Sequence, residues 1–334
     1  MSQSDQRLAQ LQHWTTAVLH EVVANNSQVP ADFVLNGWQP VSGDASFRRY
    51  FRTEFQNQSY IVMDAPPPKE DIAPFIDIAE RLLSGGIHAP RIFAQQLDMG
   101  FLLLQDLGDQ MLQSMLQPEN GQMLFDQVLP VLSAMAADCS GDDLPEYSAE
   151  KLQQELDLFP DWYLQKHLGL SMSAAERQSW QALQSLLVDN ALAQPQVFVH
   201  RDFHSCNLHQ LADGGTGVID FQDAVRGPIT YDLASWLWDR YITWPRDKLE
   251  RWMTQAGMVL APDIDTQDWI RYCDLMGLQR NLKIIGIFAR LHYRDNKNAY
   301  LEMIPRFSDY VIKLLPIYPE LKAGRVLLEK YLNP

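Results

Sequence analysis

The first hundred residues alternate short apolar runs with polar turns, a pattern typical of a small sheet. Apolar residues at helical spacing over 5–24 predict an opening amphipathic helix. Runs at 47–52 and 59–63, separated by polar residues, predict a β-hairpin. A helix over 71–84 and a short buried strand at 101–104 complete this part of the chain.

Beyond about Asp106 the apolar spacing becomes predominantly helical. The predicted helices lie at about 119–137, 148–168, 173–190, 231–242, 265–294 and 308–330. Between 196 and 221 three short strands, joined by polar loops, interrupt this pattern: 197–199, 208–211 and 217–219. The sequence therefore predicts an α+β, bilobal fold with a small N-terminal β-sheet lobe (1–106) and a large helical C-terminal lobe (107–334). A cleft between two such lobes is a favoured place for a ligand.

Composition narrows the class of protein. The 334 residues are 46% hydrophobic and include no low-complexity tract, which indicates a globular chain and not a disordered one. The formal net charge is -15 and the pI is about 4.9. An acidic chain is a poor match to a nucleic-acid binder, which needs a basic face. The acidity suits a cationic substrate, or it serves solubility alone.

Cysteine usage and hydropathy predict a cytoplasmic location. The three cysteines, Cys139, Cys206 and Cys273, are odd in number and lack CxxC spacing, as expected in a reducing compartment. No basic segment followed by an apolar run opens the chain, and no run approaches the ~20 apolar residues of a membrane helix. We expect neither a membrane nor a nucleic-acid partner, and the oligomeric state is left open.

The strongest chemical signal is the loop after the predicted strand at 197–199. Residues 200–207 read HRDFHSCN and fit H-R-D-x-x-x-x-N, the catalytic loop of protein kinases, and Asp220 follows at the end of the next apolar strand. Phosphoryl transfer needs a carboxylate beside the attacking hydroxyl, a role for Asp202. It also needs oxygen ligands for Mg²⁺, roles for Asn207 and Asp220. These residues predict a phosphotransferase that uses ATP and Mg²⁺.

Three histidines around this loop, His200, His204 and His209, raise the alternative of a zinc site. Zinc-binding pairs four residues apart require a helix, whereas this segment is predicted as loop and strand. We expect His200 to anchor the loop and His204 to line the substrate pocket.

These motifs resemble the aminoglycoside phosphotransferase and choline kinase family, whose members have the protein-kinase-like fold. The resemblance spans roughly 40–300 and includes Tyr-Asp-Leu-Ala at 231–234 and a segment at 43–50 that aligns with the loop over the phosphates. It implies that Asp232 is a buried structural residue and that Tyr50 belongs to the nucleotide site. It also implies adenine contacts by backbone groups of Gln105 and Leu107.

Stretches at 46–52, 62–67 and 285–290 are similar to a bacterial cell-wall-recycling group within this fold, the N-acetylmuramate/N-acetylglucosamine anomeric kinases. The resemblance implies transfer of the γ-phosphate to the C1 hydroxyl of these sugars. Asp223 and Arg226 would reach the sugar. Arg226 would then bind the muramate carboxylate, because arginine grips carboxylates in a bidentate way, or else form an internal salt bridge.

One position departs from the family pattern. The second strand ends at Asp64, where the family has a lysine or arginine that holds the nucleotide phosphates. Arg48, Arg49 and Arg52 on the neighbouring strand are the replacements, with Arg48 and Arg52 on one face and Arg49 on the other. We expect at least one of them to contact the phosphates, with Arg49 favoured; the alternative is that all three are solvated.

Two other functions stay open. The acidic chain would suit a kinase of a cationic alcohol, such as an aminoglycoside or a choline-like compound. Asp64 would suit a nucleotide-binding pseudokinase that regulates a partner. Intact Asp202, Asn207 and Asp220 favour an active enzyme over the pseudokinase.

Overall fold

The computed structural model describes residues 3–23, 35–41 and 47–332. The chain divides into two compact units. The first comprises Met1–Gln110 and His209–Gln222, and the second comprises Met111–Leu208 and Asp223–Pro334. The lobe boundary at 106/107 stays a prediction, and the first unit takes in a later segment that the sequence did not indicate.

Nine strands and ten α-helices lie within the described residues. The strands are β1 Asn36–Val41, β2 Arg49–Phe55, β3 Gln58–Asp64, β4 Ile92–Gln96, β5 Phe101–Gln105, β6 Gln196–Val199, β7 Leu208–Gln210, β8 Thr216–Val218 and β9 Val225–Pro228. The helices are α1 Gln3–Val18, α2 Ala73–Ser84, α3 Gly121–Asp138, α4 Ala149–Leu158, α5 Ala174–Leu192, α6 Tyr231–Leu237, α7 Arg246–Leu260, α8 Thr266–Asp295, α9 Ile304–Leu314 and α10 Lys322–Leu332. π-Helical turns extend α1 over Leu19–Val23 and α4 over Phe159–His167.

The first unit is built on a five-stranded sheet of order β1-β2-β3-β5-β4. The β2–β3 hairpin turns at Gln56 and Asn57, whose φ angles of 51° and 62° match a type I′ turn. Because side chains alternate along a strand, the hairpin has two unlike faces. The face that carries Phe51 and Val62 packs with Leu11 of α1 in one hydrophobic cluster.

Helix α2 sets the position of the segment that follows β8. Its buried residues Phe75, Ile78, Ala79 and Leu82 recur at helical spacing. The Phe75 ring lies 4.8 Å from the ring of Phe221, the residue after Asp220. An isolated bridge joins His88 to Gly217 in β8. The later segment is thereby anchored within the first unit.

The second unit is organised around α8, whose 30 residues are buried over most of their length. Close packing on this helix requires glycine at Gly286, since a Cβ there would lie 2.4 Å from the carbonyl carbon of Leu158. Strands β6 and β9 pair in antiparallel fashion beside the helices. Their ends carry the loops that hold the predicted catalytic residues.

The predicted α+β architecture is confirmed, with two differences in detail. The prediction of one helix over 308–330 is wrong, because the chain forms α9 and α10 with Pro316 and Pro319 between them. Helix α7 and strands β1, β4 and β9 were not predicted. Within the described residues, no helix is both long and apolar enough to cross a bilayer.

Candidate active site

The predicted catalytic loop follows β6 and is held by a buried carboxylate. Asp232, in the first turn of α6, accepts hydrogen bonds from the backbone N–H groups of His200 at 2.7 Å and Arg201 at 2.9 Å. Burial raises the pKa of Asp232 to about 6, so its carboxylate is ionised at neutral pH. Arg201 has a φ of 76°, a strained conformation for a residue with a side chain. The structural role predicted for Asp232 is confirmed.

Asp202 and Asn207 are joined through the backbone of this loop. The Asn207 side-chain Nδ2 donates to the carbonyl oxygen of Asp202 at 2.9 Å. Burial raises the pKa of Asp202, but neighbouring cationic groups, Lys283 among them, lower it more, so the net pKa is below the ordinary value. Asp202 is therefore a carboxylate at neutral pH and has the charge that a hydroxyl-orienting base needs.

Asp220 lies two residues after β8 with a φ of 63°, and its Oδ1 accepts from Gln222 Nε2 at 3.0 Å. Asn207 belongs to the second unit and Asp220 to the first. An amide oxygen and a carboxylate are hard oxygen donors, the kind that suit Mg²⁺. No group of three or more His, Cys, Asp or Glu among the described residues could hold a metal. Asn207 and Asp220 each carry a kind of ligand that Mg²⁺ accepts, and their metal-binding roles stay predictions.

The predicted adenine-binding segment follows β5. The backbone N–H of Gln105 donates to the carbonyl of Arg91 at 2.8 Å, whereas the backbone of Leu107 makes no hydrogen bond within the described ranges. The carboxylate of Asp106 fixes this segment by accepting from the Gly108 N–H at 2.9 Å and from Arg52. Leu107 is thus left with backbone groups that can meet a ligand.

The three arginines near β2 have different carboxylate partners. Arg52 pairs with Asp106 at 2.6 Å, and Arg48 pairs with Glu70 at 3.1 Å just before α2. Arg49 pairs with Asp64, which lies directly across the β2–β3 ladder. Tyr50 follows Arg49 on β2 and is half-buried. Each guanidinium pairs with a carboxylate, and contact of any of the three with the nucleotide phosphates stays a prediction.

Asp64, at the family's cation position, is fully buried and also binds Arg7 of α1 at 2.6 Å. Arg49 and Asp64 therefore lie on the face of the hairpin that α1 covers. Arg48 and Arg52 lie on the opposite face, and Arg52 contacts the segment after β5. The phosphate loop predicted at 43–50 lies partly outside the described residues, which resume at 47.

A cavity of about 600 Å³ in the second unit opens beside the predicted catalytic loop. Asp202, His204 and Asp223 line it. Arg226 does not: it is exposed on β9, and its backbone bonds to Tyr147 and Pro145. The cavity is strongly cationic. It is lined by three carboxylates and by six cationic side chains, namely Lys151, Arg201, Arg240, Arg280, Lys283 and Arg290.

A buried ion network supports the floor of this cavity. Glu155 of α4 pairs with Arg201 at 3.0 Å and with Lys283 of α8 at 3.1 Å. Lys283 also donates to the Tyr231 hydroxyl at 2.8 Å. Burial raises the pKa of Glu155, but the charges of Lys283 and Arg201 lower it by more than burial raises it. The net pKa lies below the ordinary value, so Glu155 stays ionised. Paired in this way, the buried charges hold Arg201, and with it the catalytic loop, in place.

Sequence reasoning missed the cationic residues of α8. The helical spacing of apolar residues predicted the helix, but it could not distinguish residues that line a cavity from residues that are buried in the core. The available signal was the group of four polar residues within 279–283, which interrupts an otherwise apolar part of the helix and includes Arg280 and Lys283. Long-range partners such as Arg7 and Glu70 left no local signal.

Comparison with known proteins identifies the family. Residues 37–267 match the family model described as "Phosphotransferase enzyme family". The N-acetylmuramate/N-acetylglucosamine kinase of Pseudomonas aeruginosa is 43% identical over 97% of this chain and 96% of its own length. The enzyme of that name from Neisseria meningitidis is 38% identical over 97% of this chain and 95% of its own.

Solved structures match the fold at lower identity. A choline kinase of Cryptosporidium parvum gives a TM-score of 0.65 at 12% identity, covering 96% of this chain and 99% of that chain. The GDP complex of aminoglycoside 2'-phosphotransferase-IIIa gives 0.59 at 14% identity, covering 90% and 98%. The predicted kinase-like fold and family resemblance are confirmed. The chain is a member of the phosphotransferase enzyme family.

Proposed function

We propose that this protein is an ATP- and Mg²⁺-dependent kinase that phosphorylates the anomeric C1 hydroxyl of N-acetylmuramate and N-acetylglucosamine. Two relatives that match nearly the whole chain carry the name of a kinase of these two sugars, which supports the substrate class. Placement in peptidoglycan recycling in the cytoplasm remains an expectation.

The cationic cavity beside Asp202 is the observation that carries the choice of acceptor. Six cationic side chains face three carboxylates there, although the whole chain has a net charge of -15. A cationic amino alcohol or aminoglycoside would be repelled by such a wall, whereas an acidic sugar would be attracted. The kinase of a cationic alcohol, left open by composition, is therefore disfavoured.

The reaction follows from the placement of the loop residues. Asp202, ionised at neutral pH, would accept a hydrogen bond from the C1 hydroxyl and orient it toward the γ-phosphate. An anomeric hydroxyl is more acidic than an ordinary alcohol, so positioning by Asp202 suffices without a stronger base. Asn207 and Asp220 would hold Mg²⁺, which neutralises charge on the phosphates when it is bound.

On the donor side we assign adenine recognition to Gln105 and Leu107, with Tyr50 near the phosphates. Arg48 becomes the stronger candidate for the missing phosphate cation. It lies on the face of the hairpin opposite α1 and pairs with Glu70, much as the kinase lysine pairs with a glutamate. Arg49, favoured from the sequence, lies on the α1 face against Asp64. With such a cation present, Asp64 no longer argues for a pseudokinase.

A substrate panel tests the proposal. ATP consumption would be measured with both sugars, with amino alcohols and with aminoglycosides, and products would be identified by phosphorus NMR. We expect sugar 1-phosphates. A 6-phosphate would refute the regiochemistry, turnover of amino alcohols alone would restore the cationic-acceptor reading, and no turnover of any acceptor would favour the pseudokinase.

A further inference from the structure

Three buried polar groups in the cavity wall have hydrogens without an acceptor. Arg280, 6% exposed, has no carboxylate partner in the described chain, and its Nη1 has no hydrogen-bond partner there. Arg240 Nε and His204 Nδ1 are buried in the same condition. Leaving buried donors unsatisfied costs free energy, so a ligand that accepts from them would be bound favourably.

The tautomer of His204 follows from its neighbour. Arg240 Nη2 lies 3.2 Å from His204 Nε2. Because a guanidinium only donates, Nε2 accepts, and the proton of the neutral ring is on Nδ1. His204 therefore offers a neutral N–H donor beside two guanidinium groups.

These donors lie close to the reacting position. His204 is two residues after Asp202 in the same loop. Arg280 is three residues, about one helical turn, before Lys283, whose charge acts on Asp202. Arg290, the other unpaired arginine of α8 in the cavity wall, is ten residues from Arg280 and so about 15 Å away along the helix. The charges of Arg240 and Arg280 both act on His204, so these three residues form one corner of the cavity, and Arg290 does not belong to it.

We infer that Arg280, with Arg240 and His204, binds the lactyl carboxylate of N-acetylmuramate while Asp202 engages the C1 hydroxyl of the same sugar. This inference rests on the proposed function. The lactyl group is attached at C3, two ring carbons from C1, so one sugar can reach both positions. A carboxylate has enough lone pairs for all three donors, and the planar fork of arginine matches its geometry. Arg226, the sequence-based candidate, is replaced in this role.

The transferred phosphoryl group is the other anion that could accept from these donors. A comparison of sugars with and without the carboxylate distinguishes the two possibilities, because every acceptor receives the same phosphoryl group. The kcat/KM would be measured for N-acetylmuramate, its methyl ester and N-acetylglucosamine. For the native protein, esterification removes the charge and should lower kcat/KM about 10- to 100-fold. In Arg280→Gln the ratio of kcat/KM for the acid to that for the ester should fall by about the same factor.

Arg294→Gln is the matched control. Arg294 lies on the same helix, is exposed and pairs with Asp295 outside the cavity, so its loss should leave the three values and their ratios unchanged. Arg280→Lys keeps the charge but not the fork, and it should lose part of the selectivity. It also serves as the test variant if Arg280→Gln does not fold.

Three results would overturn the inference. Equal losses for all three acceptors would assign Arg280 to the phosphoryl group or to folding. Equal kcat/KM for acid and ester in the native protein would show that no carboxylate site exists. Unchanged ratios in Arg280→Gln would place that site elsewhere. In each case the native protein still phosphorylates both sugars, whereas failure of the proposed function would appear as no sugar turnover at all, and the inference would fall with it.

Discussion

Replacing Asp232 by asparagine should loosen the catalytic loop without touching a residue that lines the cavity. The carboxylate accepts two backbone N–H bonds, at 2.7 and 2.9 Å, in a fully enclosed position. Each oxygen of the carboxylate accepts one of the two bonds. In asparagine one of these oxygens becomes an NH₂ group, which cannot accept, so one N–H loses its partner at a cost of about 1–3 kcal/mol. The other bond loses its charge assistance at a cost of about 1 kcal/mol. Asp232→Ala leaves both N–H groups unpaired, at about 1–3 kcal/mol each.

Activity should fall as well. The φ of 76° at Arg201 is maintained against a cost of about 1–3 kcal/mol, and without its anchor the loop would relax and move Asp202. Misplacement of a reacting group by about 1 Å lowers turnover about 10²-fold. Urea unfolding gives the stability change, and steady-state kinetics give kcat.

The matched control is Asp247→Asn, which alters an exposed acid in the first turn of α7. This substitution should change neither the free energy of unfolding nor kcat. If Asp232→Asn kept both native stability and native kcat, the hydrogen bonds to the loop would contribute nothing to its stability. The conclusion that Asp232 holds the loop in place would then be refuted.

Three further predictions concern the reacting groups. Asp202→Asn should lower kcat at least ~10² while its circular dichroism stays native. Because the pKa of Asp202 is lowered, the acid limb of the native pH–rate profile should lie below that of an ordinary aspartate, and a limb near pH 6.5 would contradict this. Asp220→Ala should abolish Mg²⁺-dependent turnover and weaken Mg-ATP binding. Native activity that survives EDTA would contradict the metal-binding role of Asp220. Arg48→Ala should raise the KM for ATP more than that for sugar, and more than Arg49→Ala does; the reverse order would return Arg49 to the role.

Local sequence pattern was enough to predict most helices and the position of the loop that carries Asp202 and Asn207, whose catalytic roles stay predictions. The HRDxxxxN spacing is compact, so Asp202 and Asn207 could be assigned before any tertiary contact was known. The strand after it gave Asp220 for the same reason. Predictions of this kind can be made from sequence because the chemistry needs its residues within a few positions of one another on one loop.

Pairings across the chain could not be predicted. Arg7 and Asp64 are 57 residues apart, and nothing near either residue indicates the other. Strand alternation separated Arg49 from Arg48 and Arg52 but could not say which face α1 covers. In α8, cavity-lining and core residues share one helical period, so Arg280 could be recognised only once the cavity was seen.

The later segment of the first unit, His209–Gln222, also bears on how the chain is made. On the ribosome, residues 1–110 emerge well before this segment, and the Val218 N–H that bonds to the His88 carbonyl at 2.8 Å is added only after about two thirds of the chain. Most domains complete themselves in the order of synthesis. Here a product truncated at Gln110 would contain all five strands of the sheet but would leave the Phe75 ring of α2 without Phe221, its partner in the complete chain.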